Sequence, residues 1–314
     1  MKIINEEGAL VIKSWCEAPE DGAILQAKNM ARLPFAFRHV CLMPDCHQGY
    51  GMPIGGVLAV KNVIIPNSVG VDIGCGMCAV PTSLTEMPQE TLKIILGKIR
   101  EQIPVGFNHH LKARPHDLMP DIDKYRVEGS LPEVVSVEYV KAHFQLGTLG
   151  GGNHFIEIQR GSDGHVWIMV HSGSRNLGKR VADFYNKVAV EINERYFSRV
   201  PKQWELAFLP VGSVEGYSYC QEMKYCVDFA FANRNEMLRV IREIFREVCG
   251  DVGVSFSDPI NIAHNYARIE HHFGQDVWVH RKGATSARLG EVGLIPGSQG
   301  TASYVVSGKG DPDS

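Results

Sequence analysis

The chain has 314 residues, of which 44% are hydrophobic and 21% are charged, and its formal net charge is −3. This balance is typical of a globular protein with a sizeable core, and it excludes an intrinsically disordered chain. The slight negative charge also excludes a global positive field, so any nucleic-acid site would have to be a local basic patch.

Hydrophobic patterns predict strands and helices in alternation along the chain. Strands are predicted over residues 38–43, 56–64, 77–81 and 166–171. A helix is predicted over 89–103, because its apolar residues form one stripe, and Pro104 ends it. Longer helices are predicted over 176–198 and 218–248. In the first of these the inward-facing residues are predicted to be Val181, Phe184, Val188, Ile192 and Tyr196.

The order of these elements predicts the fold class. No regular strand–helix–strand spacing emerges, and no linker, repeat or low-complexity tract divides the chain. We therefore predict an α+β fold, with mixed β-sheets flanked by helices, in a single domain over residues 1–314.

The 32 glycines are concentrated in short clusters. Glycine is used where the backbone must adopt a positive φ or approach another group closely. Several such clusters in one domain indicate loops that converge on a ligand. The clusters cover residues 49–56, 70–76, 147–152, 173–178 and 297–310.

The eight cysteines indicate a reducing compartment. The chain opens on an acidic segment with no apolar run, and no stretch approaches the ~20 apolar residues of a membrane span. We expect a cytoplasmic protein with reduced thiols and no membrane contact.

Five residues are candidates for a metal site. Asp72 and Cys75 stand three apart among glycines, and His154, His171 and His264 also occupy loop-like or strand-end positions. A carboxylate, a thiolate and imidazoles suit Mn, Co, Fe or Zn, and one thiolate can bridge two cations. The spacing alone leaves open the alternative that the histidines are structural.

Cys75 and Cys78 form a Cys-x-x-Cys pair that requires separate treatment. A zinc ribbon needs a second closely spaced pair, which the sequence lacks, and a redox motif should open a helix. Cys78 is therefore predicted to be a small, buried, apolar residue.

Several blocks of the sequence resemble the RtcB RNA ligases. They are residues 43–49 (MPDCHQG), 70–77 (GVDIGCGM), 146–155 (LGTLGGGNHF), 171–175 (HSGSR), and 281–284 (RKGA) through 296–298 (PGS). The blocks follow in order over most of the chain. The resemblance implies an RtcB-like domain around a central metal pocket. It also implies a ligase for tRNA splicing or RNA repair that uses GTP and two Mn²⁺ ions. Such an enzyme joins a 2′,3′-cyclic phosphate or 3′-phosphate end to a 5′-hydroxyl end.

Carried over position by position, the resemblance assigns roles to individual residues. Its metal ligands are Asp72, Cys75, His154, His171 and His264, with Cys75 bridging the two ions. Its guanylate-contacting residues are Asn153, Glu157, Ser298 and Ser303. Its phosphate-contacting residues near the metals are Arg175 and Lys282.

The sequence departs from the family at the catalytic histidine. In the family, the histidine that becomes guanylylated sits in a His-Gly-Ala-Gly-Arg type segment, and none of the 13 histidines here has that context. We expect this residue beyond Ser314, in a ligase that is truncated at its C-terminus.

Two alternatives remain open: a non-ligating paralogue that binds metal and RNA ends, and an interaction domain with structural histidines. The partners implied by the resemblance are RNA with broken ends, either tRNA halves or damaged RNA, and the accessory protein archease.

Overall fold

A computed structural model of the chain describes residues 1–127, 133–250, 253–297 and 300–310. Six α-helices lie within these ranges, together with three short 3₁₀ helices. The α-helices are α1 (Asp21–Ala31), α2 (Pro66–Val69), α3 (Gln89–Gln102), α4 (Glu133–Gln145), α5 (Arg175–Arg195) and α6 (Val214–Cys249). The 3₁₀ helices are His116–Leu118, Ile122–Tyr125 and Lys202–Trp204.

The same ranges contain fourteen β-strands, most of them short. They are β1 (Lys2–Ile4), β2 (Val11–Ser14), β3 (Ala36–His47), β4 (Ile54–Val60), β5 (Val63–Ile64), β6 (Gly76–Pro81), β7 (Phe155–Arg160), β8 (Val166–Ser172), β9 (Leu209–Pro210), β10 (Ile260–Ala263), β11 (Asn265–His272), β12 (Gln275–Lys282), β13 (Val292–Ile295) and β14 (Tyr304–Ser307).

Two sheets organise the chain. A six-stranded sheet has the order β1-β2-β3-β4-β12-β11, in which only β2 and β3 pair in parallel. A four-stranded antiparallel sheet has the order β10-β6-β8-β7. Two-stranded ribbons are formed by β13 with β14 and by β5 with β9. These mixed sheets, with helices packed against them, confirm the predicted α+β class.

The four-stranded sheet is covered on both faces, because successive side chains of a strand point to opposite sides. One face, which includes Cys78 and Val170, packs against α3 and the second half of α6 in an apolar cluster. The other face, which includes Met77 and Met169, packs against Leu294 of β13. Cys75 lies two residues before Met77, so it continues the side-chain alternation of β6 on the Met77 face. The structure therefore places Cys75 and Cys78 on opposite faces.

A single residue, His264, separates β10 from β11. Here the chain leaves the four-stranded sheet and enters the six-stranded sheet. In the four-stranded sheet, Gly76 at the start of β6 is opposite Ala263 at the end of β10 and opposite Ser172 at the end of β8. The antiparallel register thus brings the ends of three strands to one edge, beside the junction of the two sheets.

Most of the predicted elements are present, with shifted ends. The strand predicted over 56–64 is broken, because Asn62 has a φ of 58° and separates β4 from β5. The helix predicted over 218–248 is α6, which begins at Val214, four residues before the predicted start. The prediction that Tyr196 faces inward is wrong: the residue follows the end of α5 and is 74% exposed. The apolar stripe of α5 ends instead at Ile192, which is partly buried and packs against the core.

Candidate metal centre

The structure brings all five predicted metal ligands together at the edge where β6 begins and β8 and β10 end. Their ligand atoms form two groups of three, and the members of each group lie within 4.8 Å of one another. One group consists of Cys75, His171 and His264, and the other of Asp72, Cys75 and His154. Cys75 belongs to both groups, so its sulfur occupies the position that a bridging thiolate would take.

The loop before β6 positions the carboxylate and the thiol. The backbone N–H of Cys75 donates to the carbonyl of Asp72 at 3.1 Å, which closes a tight turn. Asn265, at the start of β11, fixes this turn from the other sheet. Its side-chain amide donates to the carbonyl of Asp72 at 3.0 Å, and its own carbonyl accepts from the N–H of Gly74 at 2.7 Å.

Backbone carbonyls of the glycine-rich loop over 147–153 orient two of the histidines. His154 Nδ1 donates to the carbonyl of Leu149 at 3.0 Å, and His171 Nδ1 donates to the carbonyl of Asn153 at 3.0 Å. A carbonyl can only accept, so each Nδ1 carries a hydrogen and each Nε2 faces the centre. The two Nε2 atoms lie 3.4 and 3.2 Å from Cys75 Sγ. Such carbonyl partners are what hold metal-binding imidazoles in position.

His264 and Asp72 complete the two groups. His264 Nε2 lies 3.3 Å from His171 Nε2, and the backbone N–H of His264 donates to the carbonyl of Cys75 at 2.8 Å. Asp72 Oδ2 lies 2.8 Å from His154 Nε2. The Asp72 side chain is 30% exposed and that of His154 is 5% exposed, so the centre opens to solvent on the carboxylate side.

The environment favours the neutral forms of His171 and His264 and penalises a free thiolate at Cys75. Burial, together with the neighbouring imidazoles, lowers the pKa of His171 to about 4 and that of His264 to about 3. Burial and the nearby Asp72 carboxylate raise the pKa of the Cys75 thiol well above its usual value. Burial opposes charge on Asp72 as well, but the hydrogen bond and charge of His154 leave its pKa below the usual value. A bound cation would supply the positive charge that a Cys75 thiolate lacks.

Arg175, at the start of α5, lies beside the Asp72 group. Its Nη1 is 3.3 Å from His154 Nδ1, and its Nε donates to Thr148 Oγ1 at 3.2 Å. Gly150 is required next to it, because a Cβ at that position would lie 2.0 Å from Arg175 Nη1. The guanidinium is thus placed where it can contact a phosphate close to the metal ligands.

Lys282, at the end of β12, is buried behind the metal-binding loop. Its ammonium donates to three backbone carbonyls, those of Tyr50, Met52 and Asn67, at 2.9, 3.1 and 3.2 Å. Burial lowers the pKa of Lys282 to about 8. All three hydrogens are used, so the ammonium braces the loops under the site. Phosphate contact by Lys282 stays a prediction, and it requires the ammonium to release one of these carbonyls.

The predicted guanylate contacts lie along the edge strand β7 and near it. Glu157 follows Phe155 on the same face of the strand, and the ring of Phe155 is 5.4 Å from that of His171. Gln159 links Glu157 to Ser303: its Nε2 donates to Glu157 Oε2 at 2.5 Å and to Ser303 Oγ at 3.3 Å. Asn153 is exposed at the tip of the glycine-rich loop. Ser298 lies outside the described residues.

Two buried polar residues of α6 hold the site and were missed by the sequence analysis. Asn233 Oδ1 accepts from the N–H of Gly147 at 2.7 Å and from that of Thr148 at 3.1 Å. Its Nδ2 donates to the carbonyl of Thr148 at 3.1 Å, to Ser172 Oγ at 3.2 Å and to the carbonyl of Gly173 at 3.1 Å. One fully buried amide thus joins the glycine-rich loop to the end of β8.

Arg234 is also fully buried, and it supports the metal-binding loop from below. Its Nη1 donates to the carbonyls of Gly74 and Ser172 at 2.9 and 2.8 Å, and its Nε donates to Asn261 Oδ1 at 2.7 Å. The signal in the sequence was an Asn-Arg pair on a helix face that is otherwise apolar. Polar side chains on such a face are retained when they satisfy buried backbone groups.

The remaining expectations concern the cysteines and membranes. All eight cysteines are free thiols, and Cys78 is fully buried in an apolar cluster, as predicted. Over the parts of the chain that the structure describes, no helix has the length and apolar character needed to cross a membrane.

Comparison with known proteins identifies relatives along the whole chain. The family model described as "tRNA-splicing ligase RtcB" matches residues 26–314. The RNA-splicing ligase RtcB of Escherichia coli K12 is 34% identical over 336 aligned residues, which cover 100% of this chain and 80% of the relative. The tRNA-splicing ligase RtcB of Thermococcus kodakarensis is 35% identical, over 92% of this chain and 73% of the relative. The protein of the same name from Pyrobaculum aerophilum is 32% identical, over 93% and 73% respectively.

Proposed function

The chain belongs to the RtcB family, and from this premise we propose that it is an RNA ligase. We propose that it joins a 3′-phosphate or 2′,3′-cyclic phosphate end to a 5′-hydroxyl end and depends on GTP and Mn²⁺. The observation that carries the proposal is the pair of three-residue groups that share Cys75. Each group would hold a cation, and two cations held in this way would suit phosphoryl transfer, in which charge develops on both the attacking and the leaving oxygen.

The donor set of the centre fits a borderline divalent cation. His171, His264 and Cys75 would hold one ion, and Asp72, His154 and Cys75 the other. Imidazole, carboxylate and thiolate together suit Mn, Fe, Co or Zn better than Mg or Ca. Bound at these residues, the cations would neutralise charge on the reacting phosphate and orient the attack.

The residues beside the centre support a guanine nucleotide and a phosphate. The N1–H and N2–H₂ groups of guanine are hydrogen-bond donors, so a carboxylate such as Glu157 is a suitable partner. Asn153 and Ser303, together with Ser298, are proposed to contact the same guanylate. Arg175 is proposed to hold a phosphate beside the Asp72 group.

The chemistry explains why a nucleotide is needed. A 3′-phosphate monoester is a poor electrophile, because none of its oxygens leaves readily. Transfer of guanylate from GTP to one of these oxygens, with release of pyrophosphate, would create a good leaving group. Attack of the 5′-hydroxyl on the phosphorus would then form the new phosphodiester bond and expel GMP. Arg175 would then hold charge that stays on the phosphate during the attack.

We further propose that residues 1–314 form one ligase domain that acts in the cytoplasm, which the eight free thiols support. Its substrates would be broken RNAs, either tRNA halves or damaged RNA, and archease would be a partner. A protein that binds metal and RNA ends without ligating them is the alternative. It would use the same centre and would differ only in giving no ligated product.

The test compares two buried cysteines. Cys75→Ala removes the shared ligand, whereas Cys78→Ala removes a thiol that points to the opposite face of the sheet. The metal content after incubation with Mn²⁺ is measured first, and joining of a 3′-phosphate RNA to a 5′-hydroxyl RNA with GTP second. We expect Mn²⁺ binding by the wild type and by Cys78→Ala and its loss in Cys75→Ala. Equal Mn²⁺ binding by all three proteins would contradict the assignment of the centre.

A further inference from the structure

The loop over residues 104–114 is attached directly to the metal centre. The backbone N–H of Gly106 donates to the carbonyl of Gly150 at 2.8 Å, and Arg175 Nη2 donates to the carbonyl of Gly106 at 3.5 Å. Val105 forms a bridge with Gly150. The residue that follows Gly106 is therefore carried next to the glycine-rich loop that orients His154.

This residue is Phe107, and its side chain is fully exposed. Its exposure does not come from a loose segment, because the loop is fixed along its length. The backbone N–H of Asn108 donates to the carbonyl of Val105 at 3.3 Å. The N–H of His110 donates to the carbonyl of Phe144 at 3.0 Å, and the N–H of Arg114 donates to the carbonyl of His143 at 2.9 Å. Burying a phenylalanine ring stabilises a fold. Folding alone therefore gives no reason to hold this ring in solvent on an anchored turn.

The surroundings of the ring are basic rather than apolar. Residues 105–114 include Lys112, Arg114 and two histidines and no acidic residue, although the whole chain carries a net charge of −3. Arg114 is paired with the buried Glu236 at 3.6 Å, whereas Lys112 is exposed. Leu111 is the other strongly exposed apolar residue of the loop.

We propose that Phe107 is a stacking platform for an unpaired base at the RNA end, and that Lys112 contacts a phosphate of the same strand. The inference rests on the proposed function and adds a substrate-positioning residue outside the metal centre. An exposed aromatic ring beside a basic side chain is the combination with which proteins hold single-stranded nucleic acid. The terminal bases of a broken strand are free to stack in this way.

The ring is next to the reacting centre, so it fits a nucleotide close to the broken end. A protein partner is the competing occupant of such a ring. The loop offers it Phe107, Leu111 and the half-exposed Val105, and three polar residues separate Phe107 from Leu111, whereas protein-binding patches are contiguous and larger.

The experiment measures binding of a short fluorescent single-stranded RNA with a 3′-phosphate to the full chain in Mn²⁺, by fluorescence anisotropy. A second RNA is identical but has an abasic terminal nucleotide. The variants are Phe107→Ala and Phe107→Trp. Phe197→Ala serves as a control, because Phe197 is nearly as exposed but lies past the far end of α5, roughly 30 Å along the helix from Arg175.

We expect Phe107→Ala to weaken binding of the intact RNA about tenfold, within the range known for base–aromatic stacking. Phe107→Trp should retain the affinity of the wild type, and Phe197→Ala should leave it unchanged. The abasic RNA should bind the wild type and Phe107→Ala equally.

An affinity of Phe107→Ala equal to that of the wild type for intact RNA would overturn the inference and favour a protein at this surface. Equal weakening with intact and abasic RNA would also overturn it, because the effect would not depend on the base. Either result leaves the proposed ligase function standing. A wild type that binds neither RNA would remove the proposed function itself, and this inference with it.

Discussion

Asn233 provides a sharp test of how the helix α6 supports the metal centre. Replacing it with alanine removes five hydrogen bonds and leaves the N–H of Gly147 and the carbonyls of Thr148 and Gly173 without their amide partner inside the protein. The other two groups each retain a second bond. Thr148 N–H also donates to the carbonyl of Gln145, and Ser172 Oγ also donates to that of Leu149.

The magnitude follows from the three groups that are left unpaired. A buried polar group without a partner costs about 1–3 kcal/mol, so Asn233→Ala should lower the free energy of unfolding by about 3–9 kcal/mol. For a chain of this size, that corresponds to a fall in Tm of roughly 5–15 °C. The carbonyls that orient His154 and His171 belong to the loop that Asn233 holds. Affinity for Mn²⁺ should therefore also fall, by about 10- to 100-fold.

The assays are thermal denaturation without metal and titration with Mn²⁺. Asn235→Ala is the matched control, because Asn235 is an exposed asparagine on the same helix. It should change the free energy of unfolding by no more than about 0.5 kcal/mol. If Asn233→Ala matched Asn235→Ala in both Tm and Mn²⁺ affinity, the reasoning that α6 sets the geometry of the centre would be refuted.

Three further predictions concern the arginine, an acidic residue of the core, and the histidines. Gly150→Ala should displace the Arg175 guanidinium and weaken binding of a 3′-phosphate RNA while Mn²⁺ binding is largely retained, as measured by fluorescence anisotropy and metal content. Burial opposes charge on Glu270, but the hydrogen bond and charge of Arg281 hold its pKa well below the usual value. Its contribution to stability is therefore present above its ordinary pKa and is lost as the pH falls below that value. As the pH is lowered, the Tm of Glu270→Gln should fall less than the Tm of the wild type. Finally, incubation of the 314-residue chain with α-labelled GTP and Mn²⁺ should give no labelled band on a denaturing gel, because none of its 13 histidines has the context of the family's guanylylated residue.

Each of these predictions has a control and a contradicting outcome. Gly164 also has a positive φ but has open space at its Cβ, so Gly164→Ala separates backbone strain from displacement of the arginine. Equal binding of the 3′-phosphate RNA by the two glycine variants would show that contact with Arg175 is unimportant. Glu243, an exposed partner of Arg239, is the control for Glu270, and parallel Tm curves for Glu270→Gln and the wild type would contradict the ion-pair argument. A label that is lost in mild acid would show that one of the histidines present accepts guanylate.

Local patterns in the sequence determined a large part of the fold. The apolar stripe over 89–103 and the long periodic segment ending at Cys249 became α3 and α6, since helical periodicity depends only on near neighbours. The prediction for Tyr196 failed for the same reason. A stripe extrapolated beyond the helix has no neighbour to pack against, and the ring ends in solvent.

The sequence also predicted which residue types bind the metal, but it did not predict how these residues divide between the two groups. Asp72 and Cys75 are close along the chain and were expected to act together. Cys75 is shared by both groups: Asp72 and His154 complete one, and His171 and His264 complete the other. This division follows from the antiparallel register of the strands.

Support for the site was decided by tertiary structure alone. Asn233 and Arg234 are far from the ligands in sequence, and Asn265 is far from the Asp72 turn that it holds. Each bonds to backbone groups of the metal-binding or glycine-rich loops. The sequence also did not predict that Lys282 lies under the loops, with its ammonium bonded to three backbone carbonyls. Backbone carbonyls and N–H groups are the same in every residue. The sequence by itself could therefore determine which side chains offer metal-binding chemistry, while only the folded chain decided which backbone groups hold them in place.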